Sequence, residues 1–141
     1  MKSRETLIRL RRFEVDENRQ KVTDLETMIG DFQRMAQDLE RQIQVEQERA
    51  GVSDVNHFAY PTFAKAAIQR RDNLAASVGD LEAKLELARA ELTDAYEELK
   101  KVELIEERDM ERARAGRMKA EQAELDDLGR MAHLGAIGQP R

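Results

Sequence analysis

The sequence predicts an all-α chain: a long two-helix antiparallel coiled-coil hairpin with a C-terminal helical overhang and a short disordered tail. Three observations carry that prediction. The composition is 38% charged and 4% aromatic, with no Cys and no Trp, the makeup of long helices rather than of a globular core. Apolar residues recur at alternating steps of three and four through two long spans, the 3.5-residue repeat that keeps one face toward a partner helix. A single cluster of helix breakers, Gly51 to Pro61, separates the two spans. The 141 residues read as one elongated domain: a helix over 3–50, a corner over 51–60, a helix over 61–134 and a tail over 135–141.

The first span carries a seam at Ile8, Arg11, Val15, Asn18, Val22, Leu25, Ile29, Phe32, Ala36, Leu39, Ile43, Glu46 and Ala50. Polar Arg11, Asn18 and Glu46 interrupt it; such residues cost stability and specify register. Leu7, Leu10 and Phe13 fall off the seam and give the first turns a second apolar edge. Gly30 lies inside the pattern, at a cost of roughly 1 kcal/mol relative to Ala.

At the corner, Gly51 weakens a helix interior, and Ser53 and Asp54 suit turns or N-caps better than helix. Pro61 lacks an amide hydrogen and pushes Tyr60 out of the α region, while being a good first residue for a new helix. The seven-residue frame continues numerically through the corner as Ser53, His57, Tyr60 and Ala64, so a single unbroken helix dimerising in parallel is the alternative. It would bury Pro61 in a helix interior at ~3 kcal/mol or more. The breaker rules favour the hairpin.

The second seam is Ala64, Ala67, Arg71, Leu74, Val78, Leu81, Leu85, Ala88, Leu92, Ala95, Leu99 and Val102, after which the frame meets Glu106 and Asp109. A corner centred near residues 55 and 56 makes the numbers of facing residues add to about 111, a register that follows from antiparallel reversal. Val22 then lies opposite Ala88, and Ile8 opposite Val102. The first helix is used up when the second reaches about residue 107, leaving residues 108–134 to overhang. Gly135, Gly138 and Pro140 mark the tail.

Charge follows the same plan. The chain carries a net −5, which argues against a dedicated nucleic-acid binder. Residues 1–21 hold seven Lys/Arg against four Asp/Glu, and residues 108–119 hold five against two. The hairpin brings these basic stretches to one end of an acidic shaft. They are candidates for binding a partner, with Arg4, Arg9, Arg11, Arg12, Arg112 and Arg114 as the residues that would do so. At the other end, Phe58, Tyr60 and Phe63 either plug the open end of the seam or anchor a partner at an exposed tip.

Signals for chemistry are sparse. His57 and His133 are the only histidines and have no ligand-spaced companions, so no metal or other cofactor is expected. No glycine-rich phosphate loop occurs. Carboxylate pairs such as Glu97–Glu98 would need a desolvated pocket to act as acid and base, which a two-helix rod does not build, so no enzyme is expected. The N-terminus has no apolar run of signal-peptide length, and no stretch reaches the ~20 apolar residues of a membrane span. A cytoplasmic protein with no direct membrane insertion is the expectation.

Two local runs resemble a known family. Met1-Lys2-Ser3-Arg4, through Leu7-Ile8-Arg9-Leu10-Arg11-Arg12-Phe13-Glu14-Val15-Asp16-Glu17, is similar to the opening of FliJ-family flagellar export proteins, particularly alphaproteobacterial ones. His57-Phe58-Ala59-Tyr60-Pro61-Thr62-Phe63-Ala64-Lys65-Ala66-Ala67, followed by Arg70-Arg71-Asp72-Asn73, resembles the same group. The resemblance implies a stalk-like component of the flagellar type III export machinery at the flagellar base. Its implied partners are a hexameric export ATPase, a membrane export gate and export chaperones. It further implies that the termini end enters the ATPase ring and the corner faces the gate. Two readings of other classes stand beside it: a self-associating coiled-coil scaffold with no ATPase partner, and a chaperone that holds unfolded clients at the tip.

Overall fold

The structure, a computed structural model, describes residues 2–138. It contains two helices, α1 (Lys2–Ala50) and α2 (Thr62–Gly138), and no strand among the described residues. At 1.5 Å per residue they are about 74 Å and about 116 Å long. They run antiparallel, as ion pairs between distant residues require: Glu40 meets Arg71 near the corner, Lys21 meets Glu91 midway, and Arg4 meets Glu106 at the far end. The two numbers add to 111, 112 and 110 in those pairs, matching the register expected from the position of the corner. Pro61 lies outside both helices, so the single unbroken helix is excluded.

Burial follows the two seams. On α1, Val15, Val22, Ile29, Leu39 and Ile43 are buried; on α2, Ala64, Ala67, Leu81, Leu85, Ala88, Ala95 and Leu99 are. They form three successive layers of core. Leu39, Ile43 and Ala67 pack near the corner; Val22, Ile29, Leu81, Leu85 and Ala88 pack midway; Val15, Ala95 and Leu99 pack toward the base with Ile8 against them. Val22 and Ala88 share a layer, as expected. Alanines recur on the α2 side, so the α1 aliphatics fill space that larger residues would otherwise close. Ala50 is the exception on the seam: it is exposed, because α1 ends at that residue before α2 has begun.

The corner is built from local hydrogen bonds rather than from a core. Gly51 ends α1 with φ of 69° and donates its amide to the Gln47 carbonyl at 2.9 Å. That is the left-handed cap which glycine adopts without a Cβ clash; its role is to stop the helix. Asp54 then closes an Asx turn, its Oδ1 accepting the Asn56 amide at 3.0 Å. Two turns follow, with the His57 amide donating to the Asp54 carbonyl and the Tyr60 amide to the His57 carbonyl, each at 3.0 Å. Pro61 precedes α2, and its carbonyl accepts the Lys65 amide at 3.2 Å as the first bond of that helix. Pro61 therefore caps α2 and Thr62 opens it, one residue later than expected. Gly51→Ala is expected to cost about 1–2 kcal/mol, since any Cβ strains the left-handed conformation. A denaturation midpoint unchanged from the parent would contradict this account of the cap.

The far end shows the overhang. α1 is paired as far as Arg4, which faces Glu106 and Asp109. Beyond residue 109, every α2 side chain through Gly135 is exposed. The helix continues through Gly135 to Gly138, four residues past the expected end at Leu134; of the expected tail, residues 139–141 lie outside the described residues.

Candidate partner-binding surfaces

The hairpin has two candidate ends and one grooved flank. At the base, the arginines expected to bind a partner divide into two groups. Arg4 spans the helix interface: its Nη1 bonds Glu106 at 3.3 Å and also bonds Asp109. Asp109 first and Glu106 second raise the Arg4 pKa, and the Glu40 and Asp72 carboxylates do the same for Arg71. A raised pKa adds stability that is fully present below the ordinary value and lost as pH rises through the shifted one. For arginine that window is strongly alkaline, so neither group makes the hairpin pH-sensitive near neutrality. Arg12 reaches Glu103 at 3.5 Å across the interface, and Arg11, half-buried on the seam, bonds Glu14 at 3.0 Å. The Arg11 Nε is buried without a hydrogen-bond partner. Three of the six candidate arginines are thus engaged inside the hairpin.

Arg9 and Arg112 are exposed and make no ion pair among the described residues, while Arg114 approaches Glu111 on its own helix at 4.0 Å. Arg108, Arg117 and Lys119 are also exposed and make no ion pair among the described residues. The outward positive charge of the base is therefore carried by Arg9 and the start of the overhang. Glu103, which takes up Arg12, lies beside the seam and carries no signal in the sequence, whereas the carboxylates that take up Arg4 do. Glu106 and Asp109 occupy seam positions, and the facing register sets them near Arg4.

At the tip the three aromatics part company. Phe58 is 96% exposed, Phe63 is 56% exposed and Tyr60 is 5% exposed. Tyr60 is the plug: it is buried at the corner end of the seam, and its hydroxyl accepts a bond from Gln47 Nε2 at 2.8 Å. Its ring is not available as a partner anchor, in contrast to the expectation that grouped it with Phe58 and Phe63. Phe58 stands outward from the second turn, stacked on His57 with ring centroids 4.6 Å apart. The His57 ring is held in place by its Nδ1, which accepts the Ala59 amide at 3.0 Å. Val55 adds a second exposed apolar side chain to the same corner.

One flank of the seam is grooved along much of its length. Met28 and Leu87 line the groove midway, Phe32 and Met35 line it farther up, and Val45 and Phe63 line it toward the tip. Lys21, Met28, Met35 and Gln42 recur every seven residues on α1, which places these openings on one side of the rod. The other flank carries the Arg71–Glu40 and Arg12–Glu103 bridges. This one-sided apolar edge was missed in the sequence because its residues lie beside the seam and only the facing helix turns them into a groove.

Among the described residues no helix is long and apolar enough to cross a membrane, and no group of three His, Cys, Asp or Glu is placed to hold a metal ion. Compared with known protein families, residues 5–137 match the family described as "Flagellar FliJ protein". The chain belongs to the FliJ family. Membership makes it a flagellar protein and a component of the flagellar export apparatus. No curated protein and no solved structure matches the chain significantly. The match spans the shaft, the corner and almost all of the overhang, so the FliJ assignment covers both candidate ends.

Proposed function

We propose that this FliJ-family chain is a non-enzymatic cytoplasmic stalk at the flagellar base. It couples a hexameric export ATPase to the membrane export gate and assists export chaperones. The observation that supports this reading most is the polarity of the rod. One end presents a lone exposed helix carrying Arg112, with Arg9 of α1 and Arg108 exposed beside its root and none of the three in an ion pair among the described residues; the other presents Phe58 on a turn. A ring with an acidic or loop-lined bore accepts the first, because a single helix is slim and its cations steer it by charge. An apolar pocket on the gate accepts the second, because one rigid aromatic buries a large area at small entropic cost. The groove lined by Met28, Met35 and Leu87 suits the amphipathic helix of a chaperone.

The test is binding to the export ATPase together with its ATP hydrolysis rate. Arg9→Glu combined with Arg108→Glu is expected to weaken association at least tenfold at physiological salt and to abolish stimulation. Helicity should stay intact, since neither residue makes an ion pair among the described residues. Full association and stimulation by this variant would overturn the assignment of the base.

A further inference from the structure

The overhang carries a face that the hairpin does not use. By spacing, the seam of α2 continues beyond Asp109 through Ala113, Gly116, Ala120 and Ala123, on the side that α1 covers farther along. Met118, Leu125 and Ala132 recur every seven residues and sit two positions before successive seam positions, which puts them on the back of the helix. Ala115 and Leu128 flank that line, one on either side. Met118, Leu125 and Leu128 are each more than 60% exposed. The back of a two-helix coil is ordinarily polar, so apolar residues at a seven-residue interval there call for a partner.

The charge on the same span indicates which one. Residues 108–119 hold five Lys/Arg against two Asp/Glu, whereas residues 120–127 hold Glu121, Glu124, Asp126 and Asp127 and no Lys or Arg. A helix that is basic in one half and acidic in the next is complementary to its own reverse. Parallel pairing of two copies sets like charge on like charge; antiparallel pairing sets each basic half against an acidic half.

We propose that two copies of this chain associate through their overhangs, back to back and antiparallel, about a two-fold axis near residue 120. In that register Leu125 packs on Ala115 of the second copy and Met118 beside Gln122 of the second copy. Arg112 lies opposite Asp126 of the second copy, and Arg114 lies diagonally beside Glu121 of the second copy. The two Lys119 ammonium groups approach each other at the axis, each with Asp126 of the opposite chain beside it. The second helix does not collide with α1, which lies on the other side of α2. The inference is independent of the stalk reading. Were both states to form, they would exclude each other, because pairing covers the helix that the stalk inserts.

The test uses the full chain, in sedimentation or light scattering at several concentrations and salt levels. A dimer that weakens as salt is raised is the expected result. Arg112→Asp is expected to weaken it at least tenfold, Asp126→Arg likewise, and the double swap should restore it to within a few-fold. The chain has no Cys, so introduced thiols report the register. Leu125→Cys protein mixed with Ala115→Cys protein should form a mixed disulfide, and Leu125→Cys alone should not link to itself. A chain that stays monomeric at hundreds of micromolar in low salt overturns the proposal, as does self-linking of Leu125→Cys without the mixed product. Circular dichroism of each variant separates lost pairing from lost helix.

Discussion

Ile43→Ala is expected to lower the unfolding free energy by about 2–4 kcal/mol, through the lost transfer of the side chain and the cavity it leaves. Ile43 is 2% exposed and packs with Leu39 and Ala67 in the layer nearest the corner. A two-helix rod has one seam and no second row of side chains to collapse into a gap, so relaxation recovers little of the loss. The damage should also be local. The layer of Val22, Leu81, Leu85 and Ala88 lies several turns away and shares no buried residue with it. Hydrogen exchange should quicken first in residues 36–50 and 62–75 and remain slow around Val22 and Ala88. Uniformly faster exchange along both helices would mean that the rod unfolds as one unit and that the layers are not separable.

Phe58→Ala should do the reverse, leaving stability unchanged and removing an interaction. At 96% exposure the ring contributes no burial to the fold, and truncation costs the hairpin only its stack on His57. If the tip docks on the export gate, affinity for the gate protein should fall at least tenfold, the scale of an aromatic hot spot of about 1.4 kcal/mol or more. Tyr60→Ala supplies the contrast. It opens the seam end and loses the Gln47 bond, so the melting temperature should drop. A Phe58→Ala variant that binds the gate as tightly as the parent would remove the tip from the interface. Phe63, half-exposed and lining the groove, is the next residue to test.

The contrast between Phe58 and Tyr60 marks the limit of what the residues alone convey. Seam positions were readable because burial in a two-helix coil depends on one repeat, and Val15, Val22, Ile29 and Ile43 obey it. Register was readable because a short corner leaves little freedom in how the helices face. The direction of each tip aromatic was not readable. It depends on where two successive turns, 54–57 and 57–60, aim their side chains, and no periodicity applies there. The arginines of the base posed a different difficulty. As a count they form one basic patch, but Arg4, Arg11 and Arg12 find carboxylates inside the hairpin. Local charge density therefore overstated what the base offers to a partner. Arg9 differs from Arg4 and Arg12 only once the facing helix is in place, and Arg112 lies beyond the reach of α1 altogether.

The end of α1 has a mechanical consequence. Up to Asp109 the rod is two helices thick and cross-linked by ion pairs; beyond it a single helix continues for about 43 Å. Bending stiffness rises steeply with cross-section, so it falls abruptly at that step. Thermal bending therefore concentrates just past residue 109, with Gly116 a few residues beyond. Torque applied to the overhang about its own axis still passes into the shaft through continuous helical hydrogen bonds. Lateral displacement is absorbed at the step. By cross-section alone the molecule has the mechanics of a flexible coupling: it bends at the step and transmits twist while its shaft keeps a fixed heading.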